Sequence, residues 1–208
     1  MNITHILEDS FAYTKDAVWG KWTKWLLLIV FCIIFPLFMG YIAEILRAKK
    51  PAPELENWGK LFIDGLKMFA VLIVYSIPVI IIALISGIAI FALSSMLWTY
   101  ATAGFIFLAA VGIIVSLFAN IGIIRLVRTE KIVEAFNFKE INERIARIGW
   151  LNYILAMIIL FAVLFVIQTI IASIPAIGGI INFVLTPLYG IFFARYLCLV
   201  HDSPEIQA

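Results

Sequence analysis

Glu44, Asp64 and Lys67 stand at the margins of long apolar runs, and Arg195 stands within one. A charge so placed must find a partner, reach the headgroups or face hydrocarbon. Two carboxylates and two cations at one depth can pair, and a carboxylate held at that depth can also pass a proton or bind a travelling ion. Arg195 lies well inside its run. It either extends to the headgroup region or pairs with Glu44 or Asp64. Ion coupling finds little support further in, because residues 68–93, 104–124 and 151–173 contain no Asp, Glu, Lys, Arg or His. His5 and His201, the two histidines, sit near opposite ends of the chain, so H-E-x-x-H is absent. G-x-S-x-G, the P-loop and G-x-G-x-x-G are absent too, and Ser86-Gly87 follows Leu84-Ile85 without a preceding glycine. Cys32 and Cys198 lie in apolar runs and read as packing residues. The expectation is a protein that is not an enzyme and carries no cofactor and no metal.

A second pattern consists of small and weakly polar residues four apart, hence on one helix face. Gly104, Gly112, Ser116 and Asn120 form one such stripe, with Leu108 interrupting, and Cys32, Pro36, Gly40 and Glu44 form another. The longest runs through Gly178, Asn182, Thr186, Gly190, Ala194 and Cys198. Small faces let helices approach closely, and Asn or Thr can bond across the gap. Gly112, Ser116, Asn120, Asn182, Thr186 and Gly190 are therefore the candidate helix seam, with Gly190 expected against the stretch that holds Gly112. The seam reads as packing within one subunit, as a homo-oligomer interface, or as a path for lipid or solute.

Helices in a membrane must position these residues. The 208 residues are 64% hydrophobic and 13% charged, with a mean hydropathy of +1.11. A soluble domain has roughly 45–50% and about 25%. Five apolar stretches, at 25–43, 68–93, 104–124, 151–173 and 177–200, approach the roughly 20 residues that cross about 30 Å of hydrocarbon. Only helices satisfy the backbone there without alternating strands. The first stretch contains Pro36 and Gly40, so it reads as a kinked span or as a re-entrant segment turning at Pro36. Residues 1–24 predict an amphipathic interfacial helix with Ile3, Leu7, Phe11, Thr14, Val18, Trp22 and Trp25 on its apolar face, capped by Asn2. They are too long and too acidic for the n-region of a secretory signal.

The fold class is thus an all-α integral membrane bundle. It forms a single membrane domain over 1–208, with charged loops at 44–67 and 125–149 and a tail at 201–208. Those loops carry five and six basic residues, which predicts a cytoplasmic location for both in a multi-pass cell-membrane protein. Lys15, Lys21 and Lys24 fit that orientation better if the first stretch is re-entrant. Ile132, Phe136, Ile141, Ile145 and Ile148 predict two short amphipathic helices in the second loop, broken near Asn137. Gly40-Tyr-Ile-Ala-Glu-Ile-Leu-Arg47 is similar to Gly122-Ile-Ile-Arg-Leu-Val-Arg128 with one residue deleted, which reads either as an internal repeat or as chance likeness.

The stretch ENWGKLFIDGLK after the first apolar run, AFNFKEI in the second loop, and the last run entered by IPAIGG and left by ARYLCLVHD resemble the domain-of-unknown-function family numbered four thousand and thirteen. That resemblance implies a polytopic membrane protein of a mostly archaeal family with no assigned activity, and it transfers no functional residues. Architecture alone is similar to the membrane domain of bacterial glycerophosphodiester phosphodiesterases, which implies nothing about function. Two functions remain open. One is a non-enzymatic protein that organises membrane lipids, or a homo-oligomer or membrane complex, through its charged face. The other is a transporter, channel or lipid scramblase using the seam. A net charge of +2 argues against a nucleic-acid partner.

Overall fold

The computed structural model of the chain describes residues 2–92 and 97–206, and all the regular structure among them is helical. Helix α1, Ile3–Val18, begins at Asn2, whose side chain accepts from the His5 N–H at 3.2 Å. Its buried face is Ile6, Ser10, Tyr13, Thr14, Ala17 and Val18, packed on the last helix. Ser10 and Thr14 can be buried there because their hydroxyls donate to the carbonyls of Ile6 and Ser10. Phe11, Trp19 and Trp22 stay exposed. The buried face is therefore offset from the stripe of largest apolar residues.

The first apolar stretch breaks in two. Helix α2 covers Trp22–Ile33 and α3 covers Phe35–Leu46, with Ile34 out of helical geometry between them. Pro36 has no N–H to give the carbonyl four residues back, and its ring would strike that carbonyl. At the start of a new helix the same residue is harmless. Twelve residues at about 1.5 Å each give roughly 18 Å, short of a crossing. The start of α2 also meets the loop that follows α3: Lys24 donates to the Pro53 carbonyl at 2.8 Å and Lys21 pairs with Glu54 at 3.0 Å. The chain enters and leaves this stretch beside the same loop, so the kinked full span is replaced by a pair of short, packed helices.

Helix α4, Trp58–Ala92, runs back along α3. The two backbones meet at glycines. A Cβ on Gly40 would stand 2.5 Å from the carbonyl carbon of Leu61, and one on Gly65 would stand 2.7 Å from that of Pro36. Helix α5, Leu97–Thr129, packs on α4 and leads to a short 3-10 helix, Ile132–Phe136, and to α6, Phe138–Ile148. Asn137 breaks the two and caps α6, accepting from the Glu140 N–H at 3.4 Å. Gly149, at φ +90°, reverses the chain into α7, Trp150–Ala172. Helix α8, Gly178–Ile206, closes the fold against α7, α3, α2 and α1.

Among the described residues four segments are long and apolar enough to cross a membrane: Trp58–Gly87, Thr102–Thr129, Trp150–Ala172 and Gly178–Ser203. With α2 and α3 returning to the side they came from, α1, the loop after α3, the whole of α6 and the end of α8 gather at one end. The core gathers there too. Leu28, Tyr41, Ile45, Ile124, Ile141, Ile145, Tyr153 and Tyr196 are essentially inaccessible. Further along the spans, Phe105, Ile113, Phe165, Ile170 and Ile180 point outward, as side chains facing lipid do. The molecule is a packed, charged head on thinly packed spans.

Candidate functional site

Arginines organise the charged end, paired with carboxylates that some of them share. Arg47 ends α3. Its guanidinium binds Glu44 at 2.5 Å and Asp64 at 2.7 Å, and Glu130 lies at 3.5 Å. Lys67 stands 3.8 Å from Asp64, Lys60 is 3.5 Å from Glu44, and Lys49 also bonds Glu44. Burial alone would raise the Glu44 carboxyl, but the Lys49 hydrogen bond and the surrounding cations hold it below the usual carboxylate range. Of the predicted polar cluster, Glu44, Asp64 and Lys67 therefore meet, and Arg47 joins them.

Arg195 goes elsewhere. It is 3% exposed, its Nε donates to Asp9 at 2.7 Å, and its guanidinium stands 4.9 Å from the centre of the Tyr13 ring. The pairing with Glu44 or Asp64 is corrected: α1 packs on α8 and brings its own carboxylate. Lys50 binds the other Asp9 oxygen at 2.8 Å. Burial pushes Asp9 up, and the Arg195 and Lys50 bonds outweigh it, so its carboxyl lies below the ordinary value. Tyr13, which donates to the Lys49 carbonyl at 3.1 Å, is raised to about 12 by burial.

Arg128 makes a two-pronged bond to Asp202, at 2.6 and 2.8 Å. Arg144 donates to the His201 carbonyl at 2.5 Å, and Arg125 binds Glu134 with Glu140 at 3.5 Å. Two of these arginines are exchanged. Arg47 Nε donates to the Val127 carbonyl at 3.3 Å, and Arg128 Nε donates to the Leu46 carbonyl at 3.1 Å. Each cation thus caps the C-terminal end of the other's helix, where the unpaired carbonyls carry partial negative charge. These are the matching ends of the two similar segments, 40–47 and 122–128. Among the described residues no group of three or more His, Cys, Asp or Glu is placed to hold a metal ion.

The seam residues divide. Asn182, Thr186 and Gly190 line a cleft of 460 Å³ along α7 and α8, together with Gln168, Tyr189, Phe183, Leu164, Phe193 and Phe38. A Cβ on Gly190 would meet Phe38 Cε1 at 3.0 Å and Ile42 Cδ1 at 3.2 Å. Its neighbour is α3, not the stretch holding Gly112. At Gly112 nothing lies within 4 Å of where a Cβ would be, so that position is no packing seam. Ser116 bonds its own helix, at the Ile113 carbonyl, 2.8 Å away. Asn120 faces α7, with its amide nitrogen 3.8 Å from Met157 Sδ. A second cavity, 400 Å³ and almost wholly apolar, lies between α4 and α5 beneath Phe136 and Phe138.

Sequence reasoning passed over Arg47, Asp9, Gln168 and Tyr189. Gln168 had a signal, being an amide deep in an apolar run whose other amide, Asn152, stands at its start. Asp9 had none, because its partner lies 186 residues away.

The fold and its clamped charges define a polytopic α-helical membrane protein whose spans share one charged face. Residues 25–176 match the family described as Protein of unknown function (DUF4013), and the chain belongs to that family. No curated protein and no solved structure matches the chain. The matched stretch leaves out α1 and the whole of α8, the two helices that Asp9 and Arg195 hold together.

Proposed function

We propose that this is a non-enzymatic membrane protein that organises lipids around its charged face, which lies in the cytoplasm of a cell whose plasma membrane it crosses. The observation that carries the reading is the difference between the inner and outer charges of the head. The buried guanidiniums are neutralised by carboxylates. The rim instead offers exposed Lys15, Lys131 and Lys139, which make no ion pair among the described residues, and Lys15 stands 5.8 Å from the ring centre of exposed Trp19. Aromatic side chains at headgroup depth with lysines beside them suit an anionic lipid surface. Each such lysine adds about 1 kcal/mol of attraction at low salt. The basic loops support the cytoplasmic placement.

A second reading, a transporter, channel or lipid scramblase, draws on the polar side of the α7–α8 cleft. One preparation tests both. In vesicles of mixed phosphatidylcholine and phosphatidylglycerol, energy transfer from tryptophan to a dansyl-labelled anionic lipid should exceed transfer to a zwitterionic one, and the excess should shrink with salt. Equal transfer at low salt would sink the first reading. Protein-dependent bleaching of inner-leaflet labelled lipid by external dithionite would establish the second.

A further inference from the structure

The α7–α8 cleft places uncharged polar groups where polypeptide has no water to bond. Gln168 is four residues from the end of α7 and Asn182 is four from the start of α8, so both lie about one turn inside the end of the molecule away from the charged head. The Gln168 backbone carbonyl accepts from the Asn182 amide at 3.1 Å. Its own side-chain amide is exposed and has no partner among the described residues. The Tyr189 hydroxyl donates to Asn182 Oδ1 at 3.0 Å and the Thr186 hydroxyl to the Asn182 carbonyl at 3.0 Å. Both hydroxyl oxygens keep lone pairs that can still accept. Two amide donors and several acceptors thus form a rung at the border of the hydrocarbon. Below it the cleft turns apolar and ends where Phe38, on α3, presses on Gly190.

We propose that this cleft binds one glycerolipid from the leaflet at the uncharged end. Gln168 takes an ester or hydroxyl oxygen of the glycerol, the Thr186 and Tyr189 oxygens accept from a hydroxyl, and one chain lies along Leu164 and Phe193 down to Gly190. A polar rung above an apolar floor matches the part of a lipid where glycerol joins its chains. No charged residue among those described lines the cleft, so the site does not read headgroup charge. The inference rests on the reading of a lipid-organising protein but not on the lysine rim, which has the opposite selectivity.

The test uses the full chain in mild detergent, incubated separately with phosphatidylcholine and phosphatidylglycerol of identical chains, with lipid retention read by native mass spectrometry. One lipid should remain, to within about twofold the same for both headgroups, and Gln168→Met should lower its occupancy about tenfold at an unchanged melting temperature. Gln168 makes no side-chain bond in the fold, so this variant tests the site and not the scaffold. Thr186→Phe, which fills the cleft, should remove the lipid altogether. Unaltered occupancy in Gln168→Met, or no retained lipid at all, overturns the proposal. So does a strong preference for phosphatidylglycerol, which would place the lipid at the lysines and leave the rim reading intact.

Discussion

Arg47 binds oxygen atoms contributed by α3, α4, α5 and the turn beyond it. It is 14% exposed, and Glu44 and Asp64 are 8% and 10% exposed. Arg47→Met would leave two nearly buried carboxylates facing each other, with only the more exposed Lys49, Lys60 and Lys67 to offset them. Removing one member of a buried pair costs about 3–5 kcal/mol. Arg147, 62% exposed and 3.9 Å from Glu143, is the control, since such surface pairs are worth about 0–1 kcal/mol. Melting in detergent should fall sharply for Arg47→Met and hardly for Arg147→Met; equal shifts would mean the cluster does not hold the head. The sequence announced that Glu44, Asp64 and Lys67 belong at one level, because each flanks an apolar run. It could not announce Arg47 as their centre. A helix-ending arginine before two lysines looks like any solvated loop until α3 turns it inward.

At the scale of elements, close approach decides which glycines matter. Gly65 lies against the backbone of Pro36, which cannot move aside without dislodging α3, whereas Gly112 faces open space. Gly65→Ala should therefore destabilise by at least the 1–3 kcal/mol typical of overpacking. Gly112→Ala should be neutral or gain up to about 1 kcal/mol from helix propensity. Comparable losses of melting temperature in the two variants would contradict the packing. Periodicity located every long helix and the break at Asn137. On α1 it marked an apolar face for the interface and did not show the second face, Ile6, Ser10, Tyr13 and Ala17, that is buried against the fold. The face that meets α8 carries Ala17, the hydroxyls of Ser10 and Thr14 bonded to their own helix, and Tyr13 under Arg195, while Phe11, Trp19 and Trp22 are exposed. The stripe on α8 was legible as a close-contact face, but its partner was not, because spacing along one helix does not say which other helix lies opposite.

For the whole molecule, the two short helices α2 and α3 set the topology. Had the first stretch crossed, α1 would lie on the side opposite the charged loops; instead Lys50 reaches Asp9 at 2.8 Å. In a background lacking Cys32 and Cys198, single cysteines replacing Lys50 and Lys139 should react with an impermeant thiol reagent from one side of the membrane, and one replacing Ser173 from the other. Lys139 and Ser173 labelling from the same side would overturn this arrangement. The contact between α1 and α8 also sets an order of synthesis. The guanidinium that Asp9 holds is made with Arg195, 186 residues after it. Chains are made from the N-terminus at about 5–20 residues per second, so α1 waits roughly ten seconds or more for its partner. During that wait Tyr13 and Asp9 have only the Lys49 carbonyl and Lys50 to bond, and Phe11 and Trp19 give the helix a place to rest at the lipid surface. Helix α8 thus secures a helix made long before it.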